Sequence, residues 1–532
     1  MPNPGQKKKR PANFPVPSRE PPVVISGLGV DLPELRQARA LWQHNRFDES
    51  LQLFDKAVRA HPQNLVALID ASRAFGTRFE ITRAEEMVDR LFKLAAGRPE
   101  ILHLAGQTYR MIYRPDKALE CFRRVVAATK QIPDAQLELA VLYERVHRLE
   151  DAFSLIENCL RAVPGYWEAH LFKARLLRRM KDEAGAEALF RKLSASETAH
   201  PQVRAQAWTE IAQLHDRHGD YDAAMTAMLK CKTIMSASDA AVMQESDSTL
   251  NHLRKLADSL TQAHFERWAA DGKNFPARKM AVLCSFPRSG TTLLEQVLDG
   301  HPGLVSSDER ETFARDIFSA MWQTKAAPAP TPEAFDAIPQ ERLTTQRQRY
   351  LDYMSAALNE PIGERFHLDK NPTLTLLLPG ILRLFPETKL FIALRDPRDV
   401  VMSCFMQYLP LNTNSVWFLT LERTAQRYAN DMGIWRKFRE IICSPWLEVR
   451  YEDCVMDLEK QTRRALEFLG LPWEAQVLNY RERLQKKAVS SPTYEAVSKP
   501  LYTTAIGRWK NYQKYLEPVL EILQPSVEAF KY

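Results

Sequence analysis

Paired cysteines are missing from this sequence. Its seven cysteines, Cys121, Cys159, Cys231, Cys284, Cys404, Cys443 and Cys454, are scattered, and none forms a C-x-x-C pair. This excludes the common zinc and dithiol redox motifs. An odd, dispersed set fits a reducing compartment better than a disulfide framework. No run of about 18 apolar residues occurs, so no membrane span is expected. Nor does an apolar signal-peptide core follow the N-terminal stretch Lys7-Lys8-Lys9-Arg10. That stretch lies among seven prolines in the first 22 residues. It reads as a solvated basic tail, or else as a nuclear or anionic-surface signal. Together these absences predict a cytoplasmic protein.

What is present is globular. Hydrophobic residues make up 45% and charged residues 26%, and 532 residues are too many for one ordinary core. Two or more domains are expected. The formal net charge of +7 suits an anionic ligand, but ordinary surface lysine and arginine would produce it as well. No nucleic-acid partner is expected.

The N-terminal half repeats every 34 residues. Ser50, Ala84, Ala118, Ala152 and Ala186 form one ladder at that step, and Phe54, Val88, Phe122, Ile156 and Phe190 a second. Ser72, Gly106, Ala140 and Ala174 form a third. Each unit reads as two antiparallel helices. The small residue sits where their axes cross, and the bulky one four positions later fills the groove on the same face. Pro62, Pro99, Pro133, Pro164 and Pro201 would close the second helices, because proline cannot continue the hydrogen-bond ladder. The pattern returns at Gly219–Ala224 after a slip of four residues. These ladders resemble the tetratricopeptide repeat, over residues 31–235. Such an α solenoid has a concave face suited to a protein or peptide partner; a spacer or dimerisation arm is the alternative. Residues 236–277 read as a helical cap, with Leu250, Leu253, Leu256 and Leu260 at helical spacing.

The remainder, 278–532, reads as an α/β domain. The apolar run Lys279–Ser285 enters Phe286-Pro287-Arg288-Ser289-Gly290-Thr291-Thr292 and then an amphipathic stretch. Strand, tight loop and helix start make an anion site, since N–H groups at a helix N-terminus carry partial positive charge. Gly290 permits close backbone approach, Ser289, Thr291 and Thr292 add hydroxyls, and Arg288 adds charge. The Walker A lysine is absent, which argues against an ATP or GTP hydrolase. A second run, Lys389–Leu394, leads into Arg395-Asp396-Pro397-Arg398-Asp399 and on to Ser403. Ser403 lies about two helical turns beyond Arg395, so both could face one phosphate. A third strand, Trp446–Tyr451, ends in Glu452-Asp453. Strands separated by helices predict a parallel central sheet with its ligand at the strand C-termini.

P-R-S-G-T-T at 287–292 resembles the 5′-phosphosulfate loop of sulfotransferases that use PAPS (3′-phosphoadenosine-5′-phosphosulfate). R-D-P-R-D-V-V-M-S at 395–403 resembles their 3′-phosphate motif, and V-R-Y-E-D at 449–453 and F-L-G-L-P-W at 468–473 their companion segments. Within that superfamily the sequence is similar to the protein-tyrosine sulfotransferase branch. The order of repeats and domain is similar to a bacterial group. Glu309, after His301-Pro302, stands where that branch has its catalytic glutamate. Lys370, in Asp369-Lys370-Asn371-Pro372, stands at its lysine, and Lys499-Pro500 with Arg508-Trp509 at its C-terminal element.

The resemblance implies PAPS as co-substrate, with no metal. Glu309 would be the general base, with Asp308, Glu311 and Glu295 as competing carboxylates, or it would only pair locally. Arg288 and Lys370 would stabilise developing negative charge, and Arg395 and Ser403 would grip the 3′-phosphate. Arg398 could join them or pair with Asp396 or Asp399. Lys499 and Arg508 would close over the cofactor. Tyr451 is either a cofactor contact or a core tyrosine. Two departures touch the acceptor: Glu311 stands where that branch has an arginine, and Gln407 where it has a basic residue. The resemblance puts a protein or peptide tyrosine first, and the two departures bring in a carbohydrate, lipid or small-molecule hydroxyl as the second expectation. A repeat scaffold with an inactive domain is the reading from another class. The proline-rich stretch Ala326–Pro332 would be a mobile lid or a surface insertion.

Overall fold

The computed structural model describes residues 31–484 and 503–532, apart from Asn45, Phe79, Ala96, Lys130, Gln131 and Asn359. The basic tail Lys7–Arg10 and the Lys499-Pro500 pair lie outside the described residues. The chain divides into two compact units. One runs to Arg204 and includes Leu409–Val416; the other holds Ala205–Tyr408 and Trp417–Tyr532.

The first unit is built of helix pairs. First helices are Pro33–Gln43, Leu65–Thr77, Pro99–Met111, Pro133–Arg145 and Trp167–Arg179; second helices are Phe47–Ala60, Ile81–Leu94, Pro115–Ala128, Leu149–Ala162 and Glu183–Ala195. The first two 34-residue ladders are fully buried at every rung. Gly106 shows why the third needs small residues: a Cβ there would lie 2.7 Å from the Phe122 ring. Pro62 and Pro164 lie just after the second helices Phe47–Ala60 and Leu149–Ala162, but Pro99, Pro133 and Pro201 act differently from the expectation. These three do not close the preceding helix but occupy the first turn of the next one. There the missing N–H costs nothing and the fixed φ is already helical. The turns inside the units carry a further ladder, Tyr113, His147 and Lys181, all at positive φ.

The four-residue slip also has a structural cause. Helix Pro201–Arg217 has 17 residues, against 13 in each of Leu65–Thr77, Pro99–Met111, Pro133–Arg145 and Trp167–Arg179. The insertion is one extra helical turn, and its partner Tyr221–Ser236 begins correspondingly late. Helices Ala240–Ser259 and Gln262–Gly272 follow.

The second unit centres on five parallel strands in the order β2-β3-β1-β4-β5. They are β1 (Met280–Cys284), β2 (Leu304–Asp308), β3 (Phe366–Lys370), β4 (Lys389–Leu394) and β5 (Trp446–Arg450). Leu283 is level with Lys370 on β3 and with Phe391 on β4. Leu293, Leu294 and Val297 of helix Thr291–Leu298, and Leu466 and Leu469 of helix Leu458–Leu469, bury one face of the sheet against Ala281, Leu283 and Phe391. The chain leaves β1 toward the β2 edge and leaves β4 toward the β5 edge. The crevice beyond the C-terminal ends of β1 and β4 is thus the switch point where open α/β sheets bind ligands. The proline-rich stretch runs into helix Pro332–Asp336, whose Phe335 is buried and stacked on Trp268 and Trp322. No described helix is long and apolar enough to cross a membrane.

Candidate active site

The loop after β1 turns sharply. Arg288 adopts φ +71° and Gly290 φ +92°, and Gly290 caps helix Thr291–Leu298. Only glycine fits at 290. Its φ disfavours a side chain, and a Cβ would meet Tyr451 Cδ2 at 2.6 Å. Tyr451 is therefore the wall against which the loop is folded. It also carries the Arg395 guanidinium over its ring, 4.9 Å from the centroid. Ser289, Thr291 and Thr292 are all buried in this loop.

The two arginine-bearing segments meet. Arg288 Nε donates to Ser403 Oγ at 3.1 Å, and Arg395 Nη1 donates to the Arg288 carbonyl at 3.2 Å. Arg395 Nη2 donates to the Ala505 carbonyl at 2.6 Å, while its buried Nε has no hydrogen-bond partner. Arg398 takes the other option: it grips both oxygens of Asp396, at 2.9 and 2.7 Å, and lies over the Trp509 ring. Asp399, in the same motif, accepts the backbone N–H groups of Gly507 and Trp509, each at 2.7 Å. Arg508 pairs with Asp216.

A second cluster lies at the ends of β2 and β3. Lys370 Nζ contacts Asp308 Oδ1 at 2.7 Å, Glu309 Oε1 at 2.8 Å and Glu295 Oε2 at 3.2 Å. Its side chain is fully buried, so it is no ordinary surface lysine. Glu309 has φ +43°, an uncommon backbone for a residue with a side chain, and its N–H donates to the Lys370 carbonyl at 2.8 Å. Glu311 is exposed. The turn after β3 is tied to β1: Asn371 N–H donates to Leu283, and Ser285 N–H to Pro372.

Burial and charge pull in opposite directions here. Burial pushes the Glu295 carboxyl up to about 7, despite the attraction of Lys370. Burial works against the charge on Lys370, but Glu295, Glu309 and Asp308 outweigh it and hold the ammonium above the ordinary lysine value. Behind the cluster, burial pushes Asp369 up to about 7, against the hydrogen bonds from Tyr350 and Ser307. Burial alone pushes His367 down to about 4.

The sequence offers Glu295 only as a competing carboxylate and Asp399 only as a partner for Arg398. It gives no sign of Asp216 or of the wall formed by Tyr451 against Gly290. The tight spacing in Arg395–Asp399 was the available signal for Asp399; nothing local signalled Asp216.

Comparison with known proteins bears on this geometry. A model of the sulfotransferase family matches residues 281–475, and tetratricopeptide-repeat models match 35–76 and 205–234. The chain carries a sulfotransferase-family domain behind tetratricopeptide repeats. An uncharacterized protein of Aquifex aeolicus is 27% identical over 334 residues, which is 62% of this chain and 42% of that protein. Protein-tyrosine sulfotransferase 1 of Danio rerio is 25% identical over 236 residues, 42% of this chain and 63% of that protein. The aligned regions thus span less than two thirds of either relative. Among solved structures, the sulfotransferase domain of the Synechococcus PCC 7002 olefin synthase aligns at 20% identity with TM-score 0.35, over 49% of this chain and 97% of that domain. MamA aligns at 19% identity with TM-score 0.27, over 29% of this chain and 91% of its own.

Proposed function

We propose that this chain transfers the sulfuryl group of PAPS to an acceptor hydroxyl, with a protein or peptide tyrosine presented by the repeats as the acceptor. The observation that carries this reading is the union of the two anion-binding segments through Arg288, Ser403 and Arg395. The residues fit the co-substrate. A buried guanidinium N–H without an acceptor is costly, and a phosphate oxygen would satisfy Arg395 Nε. The glycine-opened start of helix Thr291–Leu298 suits a second anionic group.

PAPS, when bound, supplies the sulfuryl group. Arg288, Ser289, Gly290, Thr291 and Thr292 hold its 5′ end, and Arg395 and Ser403 its 3′-phosphate. Tyr451 supports the loop and Arg395 together. Arg398 acts through Asp396 and Trp509 rather than as a direct clamp, and Lys499 closes over the cofactor while Arg508, paired with Asp216, holds the 505–512 segment. Glu309 takes the proton of the acceptor hydroxyl. Lys370 orients it through Oε1, so Oε2 is the oxygen that receives the proton. Arg288 and Lys370 stabilise the negative charge that develops during transfer. The seven cysteines are all free, which supports a reducing cytoplasm.

A second reading rests on the exposed Glu311, an acidic side chain close to the proposed base. It would repel acidic peptides and favour a carbohydrate, lipid or small-molecule hydroxyl. Incubation with labelled PAPS and parallel acceptors separates the two. Label on tyrosine peptides supports the first, and label only on the other acceptors supports the second. Binding of the product PAP (3′-phosphoadenosine-5′-phosphate) without transfer to any acceptor would favour a scaffold with an inactive domain.

A further inference from the structure

The extra turn of helix Pro201–Arg217 ends beside the C-terminal segment of the chain. Asp216, on that turn, takes both the Arg508 guanidinium and the Tyr512 hydroxyl, one on each carboxylate oxygen. Around it, Asp222 accepts from Lys514 Nζ at 2.7 Å and from the Tyr515 hydroxyl at 2.9 Å. Tyr221 stands edge-on to Tyr512, with ring centroids 5.3 Å apart. The same short segment is held from its other side by the donor-binding motif. Arg395 Nη2 donates to Ala505, and Asp399 accepts from Gly507 and Trp509.

Residues 505–512 therefore span two anchors: Asp216 on the last repeat-like helix pair, and Arg395 with Asp399 beyond β4. The Arg395 guanidinium lies over the Tyr451 ring, and its Nη2 is 4.0 Å from Asp399 Oδ2. One terminal nitrogen depends on the Arg288 carbonyl and the other on the Ala505 carbonyl. Fixing Ala505 thus fixes one of the two terminal nitrogens, and with it the turn of the guanidinium over the Tyr451 ring. We propose that Asp216 is a positioning residue for the donor site, acting through Arg508, Tyr512 and the 505–512 segment to aim Arg395 at the 3′-phosphate. The proposal rests on the reading of Arg395 given above. It gives the last helix pair a part in co-substrate selection, apart from any partner the repeats hold.

The test is the ratio of PAP to AMP affinity, measured by calorimetry on the full chain, because only the 3′-phosphate distinguishes the two. Asp216→Asn should lower that ratio about tenfold, the scale of one lost charge-assisted hydrogen bond. Asp216→Glu should restore part of it. Tyr512→Phe removes one of the two bonds but keeps the ring, and should give an intermediate ratio even if Asp216→Asn folds poorly. A purely structural role would lower the melting temperature and leave the ratio unchanged in the folded protein; that result overturns the proposal. If the wild-type protein shows no preference for PAP, the reading of Arg395 fails and this inference with it. A wild-type preference that survives both substitutions overturns this inference alone.

Discussion

Lys370 is shared by more carboxylate than one ammonium can balance. Three acidic side chains lie within 3.2 Å of it, and the most buried, Glu295, is pushed toward neutrality. Lys370→Met would leave those carboxylates buried without a cation. A loss of ~3–5 kcal/mol is expected, measured by urea unfolding. Glu295→Gln in the same background should recover part of it. Glu309→Gln should bind PAP as the wild type does and lose ~10²–10⁴-fold in turnover; normal turnover would end its assignment as base. Glu295 also sets a pH signature. Its folded value, about 7, lies above the ordinary 4.5, so its stabilising contribution is full below pH 4.5 and is lost as pH rises through about 7. Asp369 has the same sign. His367 has the opposite one: its contribution is present above 6.5 and is lost as pH falls through about 4. Glu295→Gln should therefore flatten the decline in unfolding free energy between about pH 4.5 and about pH 7. Equal slopes in variant and wild type would contradict the cluster. Of these residues, Glu309 and Lys370 were legible in the sequence through short motifs. Their contact with Glu295 was not, because it joins a helix to two strand ends far apart in the chain.

Three strands could be read from apolar runs, and two could not. β2 (LVSSD) and β3 (FHLDK) carry serine, histidine, aspartate and lysine, yet β3 is buried throughout. Burial is tolerated because each polar side chain finds at least one partner, His367 with Ser307, Asp369 with Tyr350 and Lys370 with its carboxylates, although His367 Nδ1 and Asp369 Oδ1 have none. Hydrophobic periodicity has no means of seeing such strands. The helix Pro397–Phe405 likewise gains its second function only in three dimensions, when Asp399 accepts two backbone N–H groups from the C-terminal segment. Asp399→Ala should weaken PAP binding by about tenfold, the scale of a charge-assisted hydrogen bond, while Arg398 remains on Asp396. Unchanged affinity in calorimetry would show that the segment is held by other contacts.

At the scale of the whole molecule, the two units owe their legibility to different physics. The repeat ladders are local and periodic, so the sequence displays them directly. Gly106→Val tests the packing they imply: its side chain would press on Phe122, with an expected loss of ~1–3 kcal/mol in the first unit. PAP affinity should be unaffected, since the substitution lies far in sequence from the β1 and β4 loops. The parallel sheet is non-local, and only the glycine- and arginine-bearing turns after β1 and β4 announce themselves. On the proposed function, those turns form one PAPS site. Calorimetric titration of the full chain with PAP, with AMP and ATP as controls, tests it most directly. Selective binding of PAP that disappears in Arg395→Ala is expected. Equal binding of AMP, or no binding of PAP at all, would contradict it.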